Sequence, residues 1–355
     1  MGTIVCSKKK NTPPVSILTE PSNLITMSEP QLNIKDNKDE YFDDEELLKY
    51  EHSKYKLREV QNKPIKWQSL NHYLGQGSFG SVELGKDLES GQFIAVKQLS
   101  ISGYNPKQIK AKIDAFELEI KVLSKLEHPN IVKYLGMEQN QTHINLFLEH
   151  VSGGSIKSLL ERYGHFPENL VQQYTKQILW GIEYLHSHGI IHRDIKGANI
   201  LVDAKGICKL ADFGSCKSLS KEDCNTFTGT PNWMAPEVIN GKGYGRFADI
   251  WSLGCTLIEM MTGKPPWYDE AKNPFQIMME IMKGQPPQIP QDLSETAKDF
   301  LSHCLQQLFI MKRYDPKKRW NITKLLHHPF VPKGGNKSIS IDLSNMFRPF
   351  YRQAT

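Results

Sequence analysis

The chain has 355 residues, with 44 Lys and Arg against 39 Asp and Glu, a net charge of +5, and 39% hydrophobic residues. So small a charge over this length gives no case for nucleic acid as a partner, no apolar run nears the roughly 18 residues of a spanning helix, and the lysines at 8–10 lead into Asn and Pro, not a secretory apolar stretch. Six cysteines, at 6, 208, 216, 224, 255 and 304, share no CxxC or other metal-ligand spacing, which reads as free thiols in a reducing, cytoplasmic compartment.

Residues 1–66 are rich in Asn, Ser, Pro, Lys and acids, with an acidic block from Asp36 to Glu46. Such a stretch buries too little apolar surface to offset its ordering entropy, so it is expected to be largely disordered, apart from a short helix within 43–61. From Trp67 the texture turns globular. Residues 70–99 read as strand, Gly-rich turn, strand, turn at Glu89–Gln92, and a buried strand Phe93–Val96. Ile109, Ile113, Phe116, Ile120, Leu123 and Leu126 recur at steps of three and four, one helix face that ends at His128-Pro129-Asn130. Two strands are expected within 131–151, a helix over 170–186, short strands within 200–212, and mostly helices from Trp251 to Phe330. A β-rich front and an α-rich back predict an α+β fold of two unequal lobes over 67–330, followed by a polar, basic tail at 331–355.

Four motifs carry the chemistry. Gly75-x-Gly77-x-x-Gly80 is followed by another strand and not by a helix, so it forms a strand–turn–strand flap whose backbone can approach phosphates. Lys97 ends the apolar run Ala95-Val96, where an unpaired ammonium would be costly, so it needs an anionic partner, Glu117 or Glu119. Then come His192-Arg193-Asp194-Ile195-Lys196-Gly197-Ala198-Asn199 and, eighteen residues beyond Asp194, Asp212-Phe213-Gly214, with Ala235-Pro236-Glu237 after them. In this order and spacing the set resembles the eukaryotic protein kinases. The stretches NLFLEHVSGGSIKSLL, HRDIKGANILVD, TGTPNWMAPEVI and ADIWSLGCTLIEMMTGKPPW are most similar to MAP kinase kinase kinases, as is the lead-in Ile65-Lys66-Trp67.

The resemblance implies a Ser/Thr protein kinase with a small β-rich N-lobe and a larger helical C-lobe, using ATP and Mg²⁺. Gly75, Gly77 and Gly80 would cover the triphosphate. Lys97, oriented by Glu119, would hold the α- and β-phosphates. Asp212 and Asn199 would take Mg²⁺, Asp194 would accept the hydroxyl proton, and Lys196 would neutralise the γ-phosphate. Adenine would lie among Leu74, Val82, Ala95 and Leu201, against the hinge Glu149-His150-Val151, with Leu148 guarding the pocket. MAP kinase kinases are the implied protein substrates. Lys196 and Thr230 match the Ser/Thr-specific pattern. Thr230 is expected to contact Asp194, and Thr226, then Thr228, to be the activating phosphorylation sites. Asp249 and Trp251 would anchor the catalytic loop, and Glu237 would pair with Arg319. Three departures stand out: residues 306–314 lengthen the link before Asp315-Pro316, Trp320 replaces a usual Pro, and Glu83, expected to face solvent, stands where an aromatic is common.

At the N-terminus, Gly2 is a candidate for myristoylation and Cys6 for palmitoylation, with the lysines at 8–10 favouring anionic lipid, a peripheral membrane tether. The same lysines with Val15 and Ile17 resemble a MAP kinase docking peptide. Cys216 and Cys224 flank the activation loop and read as inert thiols.

Overall fold

A computed structural model describes residues 65–333, except 78–79, 101–112, 114, 115, 118, 141, 219–229, 242, 244, 269–272, 284–285 and 306–315. The lipidation and docking candidates, the acidic block, Thr226, Thr228, Cys224 and the long link before Pro316 lie outside these residues.

Five strands form one antiparallel sheet: β1 (Trp67–Gln76), β2 (Ser81–Asp87), β3 (Phe93–Ser100), β4 (Tyr134–Gln139) and β5 (His143–Glu149), in the order β1-β2-β3-β5-β4. The period of two sets the faces of β3. Ile94 and Val96 are buried on the outer face with Phe147, under Ile65, Trp67 and Leu135. Ala95 and Lys97 therefore point the other way, into the cleft. The expected burial of Phe93 fails: it is 57% exposed, because it shares the Ala95 face at the open end of the strand. A helix described at residues 113, 116–117 and 119–123 follows, with Phe116, Ile120 and Leu123 buried.

Helices with both ends described make up the second lobe: α1 (Ile156–Tyr163), α2 (Glu168–Ser187), α3 (Pro236–Ile239), α4 (Arg246–Thr262), α5 (Pro274–Met282), α6 (Glu295–Cys304) and α7 (Ile322–Leu326). Ser155 starts α1 by accepting the Ser158 N–H at 3.1 Å, and Ser294 does the same for α6 through Ala297. Helix α2 buries Leu170, Val171, Tyr174, Ile178, Leu179, Ile182 and Leu185, one stripe at helical spacing. Helix α4 is buried on every side from Ala248 to Met261, which makes it the central rod of this lobe. No helix among the described residues is long and apolar enough to cross a membrane.

Four short strands lie between α2 and α3: β6 (Ile190–Ile191), which pairs with β9 (Lys217–Ser218), and β7 (Ile200–Val202), which pairs with β8 (Cys208–Leu210). The segment before β4 is tied to this lobe. Asn130 Nδ2 donates to Cys208 O at 2.9 Å, Asn130 O accepts from Leu210 N at 2.9 Å, and Ile131 bridges Leu210. The cleft between the sheet and β6–β9 is thus built from both lobes.

Candidate active site

Lys97 stands on β3 with its side chain only 3% exposed. Its Nζ donates to Glu119 Oε1 and Oε2 at 2.8 and 2.9 Å and to Asp212 Oδ1 at 2.8 Å. Glu117, the other candidate, is exposed, one turn-step off the buried face. Burial alone would lower the Lys97 ammonium, but Glu119 and Asp212 more than offset it and hold the ammonium above its ordinary value. Burial pushes the Glu119 carboxyl upward, and Lys97 counters this only in part.

Asp212 is held left-handed, at φ 58°, an unusual conformation for a residue with a side chain. The turn aims its carboxylate at Lys97 and sends Phe213 inward, where it is buried 5.1 Å from the His192 ring. Arg193 is also left-handed, at φ 67°, and its Nε donates to Ser215 O.

The loop after β6 is fixed from below by Asp249 of α4, which accepts from His192 N at 3.0 Å, Arg193 N at 2.9 Å and His186 Nε2 at 2.8 Å. Burial alone would raise the Asp249 carboxyl, but His186 and these backbone donors hold it below its usual range. Held this way, the loop presents Asp194, Lys196 and Asn199 together. Lys196 Nζ donates to Asp194 Oδ2 at 2.8 Å and Thr230 Oγ1 at 2.6 Å, and Thr230 Oγ1 donates to Asp194 Oδ1 at 3.1 Å. Asn199 Nδ2 donates to Asp194 O and Oδ2 at 2.9 and 2.8 Å, which leaves the Asn199 amide oxygen as a donor for a hard cation. The expected Thr230–Asp194 contact is therefore present.

The apolar candidates share the cleft face of the sheet. Val82 lies opposite Lys97, and Leu148 lies opposite Ala95. Leu74 lies on β1 and Leu201 on β7, and Val151 is buried at the hinge. The Glu149 side chain is taken up elsewhere: it accepts from Lys209 Nζ at 2.9 Å and Lys133 N at 2.7 Å.

The chain's own geometry tests the fit to a nucleotide. A Cβ at Gly80 would lie 1.9 Å from the backbone Gln98 O, so that position demands glycine, and one at Gly77 would lie 2.8 Å from Lys97 Cε and press on the Lys97 side chain. A Cβ at Gly75 would meet nothing within 4 Å. The flap is drawn in by the Gly77 N–H donating to Gly80 O at 2.8 Å. Beneath it, Asp212 and Asn199 offer the carboxylate and amide oxygens that suit Mg²⁺. The residues present fit ATP and Mg²⁺.

Further down, Arg319 pairs with Glu237 in two parallel bonds, Nη1 to Oε1 at 2.5 Å and Nη2 to Oε2 at 2.8 Å. The lengthened link before Pro316 does not prevent this pair. Trp320 stacks on His303 with ring centroids 3.7 Å apart. Glu83, expected in solvent, is half-buried and accepts from Ser69 Oγ at 2.9 Å across the β1–β2 pair. Two site residues escape the motif reading. Asn130 closes the lobe junction, and Glu259 of α4 lies under the catalytic loop. Glu259 had a readable signal, a single carboxylate inside the apolar helix stretch Trp251–Met261.

Residues 69–331 match the protein kinase domain family. The chain is 47% identical over 290 residues to mitogen-activated protein kinase kinase kinase ANP1 of Arabidopsis thaliana, covering 80% of this chain and 42% of the relative. It is 47% identical over 276 residues to mitogen-activated protein kinase kinase kinase A of Dictyostelium discoideum (77% and 28%), and 42% identical over 263 residues to cell division control protein 7 of Schizosaccharomyces pombe (74% and 24%). It thus spans less than half the length of these relatives. With the lysine–carboxylate cluster, the anchored loop and the glycine flap in one cleft, the chain belongs to the protein kinase family.

Proposed function

We propose that the chain is an ATP-dependent protein Ser/Thr kinase of the MAP kinase kinase kinase type, and that it phosphorylates activation-loop Ser and Thr of MAP kinase kinases. The observation that carries this reading is the meeting of Lys97–Glu119–Asp212 with Asp194–Lys196–Thr230 in one cleft. The names of the relatives support the tier.

Transfer of a phosphoryl group is mainly positioning and charge neutralisation around in-line attack. Mg²⁺, when bound, supplies positive charge to the phosphate oxygens, and Asp212 and Asn199 are the residues that would hold it. Lys97 would orient the α- and β-phosphates, its ammonium held in place by Glu119. Asp194 would accept a hydrogen bond from the substrate hydroxyl, aim its oxygen at the γ-phosphorus and take its proton as the new O–P bond forms. Lys196 would meet the charge that develops on the γ-phosphate. Thr230, fixed to both Asp194 and Lys196, would set the floor on which a Ser or Thr side chain rests. Phosphorylation of Thr226 would raise activity, with Arg193 of the catalytic loop as its counter-charge.

The test is transfer from ATP and Mg²⁺ to kinase-dead MAP kinase kinases, beside an Asp194→Asn control. Phosphate on their activation-loop Ser or Thr, reduced by about 10²–10⁴ in the control, is the expected result. Autophosphorylation without transfer to them would keep the kinase and remove the substrate assignment.

A further inference from the structure

Glu259 is the one acidic side chain in the apolar stretch of α4 from Trp251 to Met261, and it is 5% exposed. Its Oε2 accepts two hydrogen bonds from two different segments. One comes from Gly197 N at 2.9 Å, in the catalytic loop three residues after Asp194. The other comes from Trp233 Nε1 at 3.2 Å, three residues after Thr230. The contact with the loop is closed on the other side as well. A Cβ at Gly197 would lie 2.7 Å from Glu259 Oε1, so the loop rests directly on the carboxylate. Trp233 is held in place independently, by its carbonyl accepting from Ser252 Oγ at 2.7 Å.

Taking the kinase reading as given, we infer that Glu259 is a positioning residue: its ionised carboxylate sets the catalytic loop in register with the segment that carries Thr230, and this alignment weakens when the carboxylate is protonated. Both donors are neutral N–H groups, and a charged acceptor bonds such groups about twice as strongly as a neutral one. Protonation leaves one oxygen as a carbonyl acceptor, so the clamp loosens and is not lost. The charged groups that face the carboxylate are Lys196 from the catalytic loop and Lys157 from α1, and both favour its ionised form. Burial is the larger influence and pushes the carboxyl up to about 7, within the physiological range.

The sign of the stability effect is opposite to that of the activity effect. A carboxyl raised above its ordinary value stabilises the fold while protonated, and that contribution is lost as pH rises through 7. The ionised form therefore serves alignment at a cost in stability. A residue held for packing alone would show no such opposition.

Glu259→Gln is the diagnostic variant, because an amide oxygen in the Oε2 position still accepts from Gly197 and Trp233 without charge. Phosphoryl transfer from ATP to a mixed Ser/Thr peptide library would be followed from pH 6 to 8 in the full chain, together with the melting temperature. At pH 8 we expect kcat to fall about five- to tenfold in the variant while its melting temperature rises. The wild-type acid limb near pH 7 should flatten. Trp233 fluorescence, taken as the difference from Trp233→Phe, should titrate near pH 7 in wild type and not in Glu259→Gln. A Gln variant with wild-type kcat, an unchanged pH profile and no loss of the Trp233 titration would overturn the inference. If wild type transfers no phosphate at all, the kinase reading falls, and the Trp233 titration with the pH-dependent melting still decides whether Glu259 titrates as the clamp. Should Glu259→Gln fail to fold, Gly197→Ala, which drives a methyl into Oε1, must lower kcat and shift the Trp233 signal, or the clamp is excluded.

Discussion

Among the described residues, two buried ion clusters invite comparison: Lys97 with Glu119 and Asp212 in the cleft, and Arg319 with Glu237 against α4. The second is balanced, one guanidinium to one carboxylate. It is closed by Phe247 O, which accepts from Nη1 at 3.0 Å, and by the Trp251 ring 5.0 Å from the guanidinium carbon. The first sets one ammonium against two carboxylates, and one of them, Asp212, has a side chain 21% exposed at the cleft. A balanced, sealed pair works as architecture, even with the Arg319 Nε–H buried and without an acceptor among the described residues. The cleft cluster stays open at Asp212, where a cation such as Mg²⁺ would add positive charge to the carboxylates. Access at Asp212 separates the two.

The comparison breaks most sharply at Asp212. Asp212→Asn removes one of the two carboxylates beside Lys97, so the melting temperature should hold or rise while transfer from ATP falls about 10²–10³-fold, read by single-turnover kinetics. A parallel loss of stability would show the cleft cluster to be architecture as well. Of comparable size is Arg319→Leu, which strands a buried Glu237 and should cost about 3–5 kcal/mol in denaturant unfolding. Leu at both positions should recover most of that. Addition of MgATP sharpens the contrast further. At about a hundred times Kd it should stabilise wild type by about 2.7 kcal/mol, with the gain lost in Asp212→Asn and kept, on a lower baseline, in the Arg319 variant. The smallest effect concerns Cys216. Burial, and after it the charges of Asp249, Glu119 and Asp212, push its thiol up despite Arg193. Iodoacetamide at pH 8 should label it far more slowly in the folded chain than in urea, as mass spectrometry would show.

Much of this site is legible in sequence because its chemistry is unusual for its surroundings. Lys97 in an apolar strand demands a partner, and helical spacing places Glu119 inward and Glu117 outward. Asp194, Lys196 and Asn199 fall within one short loop, so their meeting is local, and Thr230 was expected to join them. What escaped depends on contacts distant in sequence. Glu259 and Gly197 are brought together only by the packing of α4 beneath the loop. Asn130 is joined to Cys208 across the lobes. Glu83 was read from its strand alone, but its environment is made by Ser69 on the neighbouring strand. Phe93 was counted with an apolar run, and the alternation of β3 left it outside.

The outer face of the sheet has a practical consequence for anyone trimming this chain. The family match begins at residue 69, yet Ile65 and Trp67 lie over Ile94, Val96 and Phe147, with the Trp67 ring 5.7 Å from Phe147 and its Nε1 donating to Glu138 at 3.1 Å. A fragment started at Ser69 would lose this lid and lay bare an apolar patch on the back of the very strand whose front carries Lys97. Any expression boundary that respects the catalytic lysine has to fall before Ile65.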